Sequence, residues 1–466
     1  MLRTVGDWVA DYRRRIEEYP VLPRVEPGEI TDRLDPDPPE AGDSVEEILA
    51  DIDRIIVPGL THWNHPGFFA YFASSVSPPG LLAELVIAAL GVNAMSWRTS
   101  PAATELEELT VSWLARLVGL PAAFRGVILD TASTSSFTAL LAAREAPGID
   151  VREKGLAARP EVPPLNIYVS EHAHFSIGKA AMAAGLGLDH VRRIPVDAGY
   201  RMNVRELERR LEEDRAAGAL PVMVCATLGT TSSTSVDPVA EIADVCERHG
   251  VWLHVDAAYA GVAAMLPERN AEFAGWERAD SIVINPHKWL FTPLDCSVLL
   301  YRQPEMVRQP LALAAAYLRG EAGATNLMDY GLPLGRRFRA LKLWFVIRYY
   351  GADGLRALLR DHIAWAGAFV EWISGDDRFD LAAPVPFSTV CFRAIPPADA
   401  EGDEWNRRLL EAVNERGDVF LSDTELDGRY TLRLSVGSVN STADHVRRAY
   451  DQLREEHDKL NTRTPE

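Results

Sequence analysis

Between residues 126 and 302 short apolar runs alternate with helical periodicity, and this alternation restricts the possible folds more than any other feature of the chain. The runs are GVILD (126–130), NIYVS (166–170), HVRRIPV (190–196), VMVCAT (222–227), VWLHVD (251–256), SIVIN (281–285) and CSVLLYR (296–302). Their length and β-branched content are those of strands, and amphipathic segments such as NVRELERRLEEDRAAG and PVAEIADVCERHG separate several of them. Strand, helix and strand in repetition predict an α/β fold with a largely parallel sheet covered on both faces.

The flanks read differently. The first 40 residues pair a short amphipathic helix with a proline-rich stretch ending in DPDPPE, which cannot sustain a helix. SVEEILADIDRIIVPG opens with a capping box, Ser44 and Glu47, and stops at Pro58-Gly59; TELEELTVSWLARLVGLP is expected to repeat the device with Thr104 and Glu107. After a long helical pattern beginning near RRFRALKLWFVIRYYG, strands at STVCFRAI and YTLRLSVG and a final charged helix predict a small C-terminal α/β domain. The expected division is an N-terminal helical segment (1–77), a large α/β domain (78–345) and the small domain (346–466).

A formal charge of -19 argues against nucleic acid and anionic membrane as partners, since both need a basic patch that displaces counterions. Cys225, Cys246, Cys296 and Cys391 are scattered without a CxxC pair, which indicates neither a zinc site nor a disulfide framework and fits a reducing compartment. No metal is expected. The N-terminus carries charges where a secretory signal needs its apolar core, and no run approaches the roughly 18 apolar residues of a membrane span. A soluble, cytoplasmic protein acting on a small molecule is the expectation.

In open α/β sheets ligands bind beyond the carboxyl ends of the strands, and the unusual polar residues of this chain fall there. Thr131, Ala132 and Ser133 follow GVILD and lead into a helix whose first N–H groups suit a phosphate. His172 and His174 follow NIYVS, Thr230 and Thr231 follow VMVCAT, Asp256 ends VWLHVD, and Lys288 lies just beyond Asn285. Each alone reads equally as a helix cap, loop acid or solvated strand end; together, on successive strands, they point to one site. The combination suits pyridoxal phosphate. Its aldehyde needs an amine, its pyridine nitrogen a carboxylate and its phosphate N–H donors. A lysine desolvated against Pro286 and Trp289 would have its amine more readily available.

The motifs NPHKW, HVDAAYAG, ATLGTT, HWNHPGFFAYF, SWRTSPAATELE and PLGRRFRALKLWFV, six long matches that fall along the chain in the family's order, make it resemble the group II pyridoxal-phosphate decarboxylases, in their aromatic-L-amino-acid and histidine decarboxylase branch. The similarity runs from about residue 40 to about residue 350. It implies the fold type I architecture of pyridoxal-phosphate enzymes and a homodimer. It further implies that Lys288 forms the Schiff base, that Asp256 pairs with the pyridinium nitrogen, and that His174 stacks on one ring face with Ala258 on the other. Thr131, Ala132, Ser133, Asn285 and His287 would hold the phosphate, and Thr231 would support the cofactor and His174. Tyr317, 29 residues after Lys288, stands where the family carries a loop tyrosine that protonates the substrate carbon in the partner's site. The adjacent GEAGATN is small and Gly-rich, as a mobile lid requires.

The chain also departs from the family's animal members. DTASTSS replaces a Gly-Ser-Ala-Ser-Glu pattern in the phosphate segment. In the implied substrate pocket Trp63, Tyr71 and Phe72 match, whereas Ala73 replaces a proline and Ser74 a threonine. Asn93 and Met95 stand at apolar and aromatic positions, and Leu294 replaces a phenylalanine. Gly335 matches the aromatic branch, where histidine decarboxylase has serine. The expectation is decarboxylation of an aromatic amino acid to its amine. Two other readings are an enzyme that decarboxylates and oxidatively deaminates to an aldehyde, and a noncatalytic binding protein of the same fold. Tyr317 and His174 speak against the first, Lys288 and Asp256 against the second.

Overall fold

The computed structural model describes residues 1–313, 323–398 and 400–462, and their contacts separate them into two compact units. One comprises Ser74–Ile363 and Ala383–Thr389; the other comprises Met1–Ala73, Ala364–Ala382 and Val390–Glu466. This differs from the three segments expected, because the N-terminal segment clusters with the C-terminal residues.

Along the chain, α1 (Leu2–Arg14), α2 (Glu29–Asp32) and α3 (Val45–Asp51) precede α4 (Pro78–Leu90) and α5 (Pro101–Leu117). Next come β1 (Arg125–Leu129), α6 (Ala132–Glu145), α7 (Val151–Lys154), β2 (Leu165–Ser170), α8 (Ser176–Ala183), β3 (Val191–Ile194) and α9 (Val204–Ala216). They are followed by β4 (Leu220–Thr227), α10 (Val239–His249), β5 (Trp252–Asp256), β6 (Ser281–Ile284), β7 (Ser297–Tyr301) and α11 (Pro304–Arg308). The chain continues through α12 (Ala340–Ser374), which is broken at Gly351 by a φ of +65° and ψ of 173°, then β8 (Phe379–Leu381), β9 (Thr389–Ala394), α13 (Gly402–Glu415), β10 (Ser422–Leu426), β11 (Arg429–Ser435) and α14 (Ala443–Thr462).

All seven strands expected in the large unit form, in the order β1-β7-β6-β5-β4-β2-β3. Pairing is parallel from β6 through β5, β4 and β2 to β3, whereas β7 runs antiparallel to both β6 and β1. Only β7 is reversed, so the carboxyl ends of β1, β2, β4, β5 and β6 share one edge. α6 packs on the sheet through Ala139, Ala142 and Ala143, in one apolar cluster with Val127, Ile167, Met223 and Cys225. Alanine on that face lets the helix approach closely, and Ser135 Oγ, 2.8 Å from Ser297 Oγ, fixes it to β7.

The start of α5 corrects the sequence reading. Pro101 occupies its first turn, where a fixed φ favours helix initiation, so the helix begins ahead of Thr104. Thr104 is buried inside the helix and donates to Ser100 O at 3.1 Å, and Glu107 is buried rather than capping. The box at Ser44 and Glu47 does form, and the segment continues past α3 through a π turn and a 3-10 turn to Gly59.

In the other unit a four-stranded sheet has the order β10-β11-β9-β8. The N-terminal segment joins it through backbone bonds: Phe69 N donates to Phe420 O at 2.9 Å, and Ser435 N to Phe69 O at 2.8 Å. Phe68 packs edge-on to Phe420, and Trp63 lies 4.4 Å from Phe68.

Candidate active site

Every strand-end residue singled out in the sequence lies in the described residues; the loop tyrosine Tyr317 lies outside them. At the end of β1, Thr131 takes extended geometry ahead of α6 and its N–H donates to Asp130 Oδ1 at 2.7 Å. The N–H groups of the first turn that follows, at Ala132 and Ser133, have no acceptor within a helix and point outward from its start. Ser133 is exposed.

The β6 end carries the opposing groups. Asn285 N donates to Ala258 O at 3.1 Å, which sets the loop after β5 beside the loop after β6, and Lys288 N donates to Asn285 O at 2.9 Å. Asn285 is buried, with Oδ1 lacking any hydrogen-bond partner. His287 is also buried; Cys296 N donates to its Nδ1 at 2.9 Å, which assigns the ring proton to Nε2. Burial, helped by Lys288, pushes the His287 imidazole down to about 3, so the ring is a neutral donor. Trp289 turns away into the core, stacked on Tyr259 at 4.9 Å and donating to His362 Nδ1 at 2.9 Å. It anchors the loop.

Asp256, the last residue of β5, is 6% exposed, and its Oδ1 accepts Ala258 N at 3.1 Å. His174, after β2, is half-buried. Burial lowers its imidazole pKa; Asp256 pulls it up, and Lys288 and Lys179 push it down. His174 therefore lies within electrostatic reach of both Asp256 and Lys288. Ser176 N donates to His174 Nδ1 at 3.2 Å, which leaves the proton on Nε2. Thr231 is exposed, and no hydrogen bond joins it to His174 among the described residues; the ring is held by Ser176, whose Oγ is 2.8 Å from Nδ1. Gly229, at the start of that loop, has φ +87°, and a Cβ there would stand 2.8 Å from Ala260 Cβ, so only glycine fits the turn.

The implied substrate residues fall into groups. Arg336 N donates to Asn93 Oδ1 at 3.0 Å, Asn93 Nδ2 lies 3.7 Å from Met95 Sδ, and a Cβ on Gly335 would be 3.8 Å from Asn93 Nδ2. Asn93, Met95 and Gly335 thus share one wall. Ser74 is half-buried and Leu294 is exposed. In the other unit Trp63 stacks near Tyr71 at 5.9 Å, and the Arg433 guanidinium stands 4.6 Å over Phe72.

Beneath the Asn93 wall is an ion pair that the sequence did not reveal. Arg336 Nη2 donates to Glu107 Oε1 at 2.7 Å and to Ile128 O at 2.8 Å, and Glu107 Oε1 also accepts Ile128 N at 2.8 Å. Arg336 Nη1 adds a bond to Ala94 O at 3.2 Å. The signal in the sequence was Glu107 as the one charged residue on a helix face otherwise made of Ala103, Thr104, Thr110, Val111 and Leu114.

Lys288 supplies an amine, Asp256 a nearly buried carboxylate, the α6 start outward N–H groups, and His287 a neutral N–H donor. Those are the functions an aldehyde, a pyridine nitrogen and a phosphate require, so the residues fit pyridoxal phosphate. Residues 27–395 match the family model described as the pyridoxal-dependent decarboxylase conserved domain.

The chain belongs to the pyridoxal-dependent decarboxylase family.

Members of this family with similar sequences include tryptophan decarboxylase 2 of Oryza sativa subsp. japonica, 39% identical over 97% of this chain and 93% of that protein. Phenylacetaldehyde synthase of Arabidopsis thaliana is 38% identical over 97% of this chain and 94% of its own length. Among solved structures, Oryza sativa TDC with PLP and tryptamine superposes with a TM-score of 0.95 at 37% identity, covering 98% of this chain and 97% of that one. Catharanthus roseus tryptophan decarboxylase in complex with L-tryptophan gives 0.93 at 36% identity, with 98% and 97% covered. The fold is therefore that of the pyridoxal-phosphate decarboxylases, and the protein is a pyridoxal-phosphate-dependent amino-acid decarboxylase.

Proposed function

We propose that this decarboxylase acts on an aromatic L-amino acid, removing its carboxylate as carbon dioxide and releasing the amine. The observation that carries the reading is the gathering of Lys288, Asp256 and His174 at one sheet edge, in a chain similar to tryptophan decarboxylases along nearly its whole length. Pyridoxal phosphate, when bound, supplies an aldehyde for the substrate amine and a ring that takes up the electrons left by carbon dioxide. Lys288 would hold the cofactor between turnovers and carry protons to and from the substrate amine. Asp256, held by Ala258 N, would keep a proton at the pyridine nitrogen. His174 would offer Nε2–H, its Nδ1 being already spent on Ser176. The α6 start, His287 and Asn285 would hold the phosphate. Asn93, Met95 and Gly335 would line the side-chain pocket, with Gly335 leaving room for a ring.

The proposed partner is a second copy of the chain. Leu82, Leu85, Val86 and Leu90 are exposed along α4, and a helix this apolar is normally buried in an assembly. Among the described residues no helix is long and apolar enough to cross a membrane. A cytoplasmic setting belongs to the same reading, and four free, separately buried cysteines fit it.

A second reading has its own support: one similar relative is a phenylacetaldehyde synthase. The sequence retains Tyr317 and His174, which favours the amine. Incubating the holoenzyme with separate L-amino acids, with mass spectrometry of products and oxygen uptake in parallel, decides between them. Amine without oxygen uptake is the expected result. Aldehyde with ammonia and peroxide would replace it with the second reading, and turnover confined to non-aromatic substrates would overturn the substrate class.

A further inference from the structure

His254 precedes Asp256 by two positions on β5, so both side chains leave the same face of the strand, and His254 is 0% exposed. Its Nε2 is 3.1 Å from Ser136 Oγ on α6, and its Nδ1 is 2.9 Å from Ser281 Oγ at the start of β6. Ser281 Oγ in turn accepts the Trp252 indole N–H at 2.9 Å. An indole nitrogen only donates, so Ser281 is an acceptor there, and its own hydrogen is free to go to His254 Nδ1. The imidazole proton then sits on Nε2 and is given to Ser136. In this arrangement the neutral ring leaves neither nitrogen unpaired, as full burial demands.

The three elements joined by this one ring are those that deliver the site. α6 begins at the phosphate-ready turn after Thr131, β5 ends in Asp256, and β6 runs into Asn285, His287 and Lys288. Parallel strands are bound to one another by backbone ladders, but the height of a covering helix above the sheet is set by side chains. Ser136 is on the second turn of α6, close to its functional start, so the bond to His254 fixes that start relative to Asp256.

We propose that His254 is a positioning residue which holds the α6 start, Asp256 and the Lys288 loop in one frame for pyridoxal phosphate. The proposal rests on pyridoxal phosphate being bound through Lys288. Asp256 and Lys288 are the groups that touch the cofactor; His254 acts through them.

The test is pyridoxal-phosphate affinity and the absorbance spectrum of the bound cofactor, measured on the full chain for wild type, His254→Leu, His254→Gln and Ser136→Ala. Leucine removes both hydrogen bonds and should weaken cofactor binding by about tenfold or more and change the balance of absorbance bands. Glutamine restores an N–H donor toward Ser136 and should recover affinity to within about threefold of wild type. A purely structural role would lower the melting temperature and leave affinity and spectrum alone in the folded protein. Should His254→Leu fail to fold, Ser136→Ala decides, with a loss of about threefold or more expected. Wild-type affinity and spectrum in a folded His254→Leu, or failing that in Ser136→Ala, overturns the proposal. Borohydride reduction of the wild type, followed by peptide mapping, separates this from the cofactor assignment. A pyridoxyl adduct absent from Lys288 overturns both, whereas an adduct at Lys288 with unaffected variants overturns the role of His254 alone.

Discussion

Glu107 and Arg336 form a buried ion pair at 2.7 Å under the wall that carries Asn93. Both are nearly inaccessible, so removal of one partner strands the other's charge away from water. Arg336→Met should lower the unfolding free energy by about 3–5 kcal/mol in a urea titration. Since Arg336 also bonds Ala94 O, the ratio of turnover between large and small aromatic substrates should shift; an unchanged stability would refute the energetic reading of the pair.

Gly335 tests the pocket wall. A Cβ there meets only Asn93 Nδ2, at ordinary contact distance, so Gly335→Ser should fold with stability within about 0.5 kcal/mol of wild type. The added hydroxymethyl would occupy ring space, and kcat/KM for the preferred aromatic substrate should fall by roughly 10-fold. Equal kcat/KM would place Gly335 outside the pocket.

Gly229 is a backbone test. With φ +87° and Ala260 Cβ 2.8 Å from the position of a new Cβ, Gly229→Ala should cost about 1–3 kcal/mol. The damage should appear as weakened cofactor binding as well as a lower melting temperature, because the turn leads to Thr230 and Thr231.

Acid should destabilise the chain through its buried histidines. Burial holds His254 at about 4 against an ordinary 6.5. The unfolded chain therefore binds more protons between those values, and folded stability is lost as pH falls from 6.5 toward 4. His287, held at about 3, acts in the same direction over a wider range. In urea titrations across this window, His254→Gln should flatten the dependence by at most about 1.4 kcal/mol per pH unit. Parallel wild-type and variant curves would mean that His254 is not the group that titrates.

Much of the large unit was legible because its signals are local. An apolar run such as VWLHVD identifies a strand and its final aspartate together, and the lysine of NPHKW needs only the strand before it to be placed at the sheet edge. Strand direction was not legible for β7, since CSVLLYR reads the same in either orientation. Thr104 and Glu107 have the spacing of a capping box, but Pro101 starts the helix earlier and turns Glu107 inward to Arg336. The attachment of Phe69 to Phe420 depends on residues at opposite ends of the chain, which no local pattern links. The bond that holds the His174 ring comes from Ser176, two residues beyond the histidine and visible in SEHAHFS only as one more serine.

The reversal of β7 has a kinetic corollary. Because β6 and β7 pair antiparallel, the segment bearing Asn285, His287 and Lys288 is a loop with both ends zipped into the middle of the sheet, and Cys296 N closes it again on His287. Such a loop cannot fray from one end as a strand-to-helix connection can. Opening it requires unzipping a central ladder, so amide hydrogens of Val298 and Leu299 should exchange with solvent only at the rate set by unfolding of the whole unit.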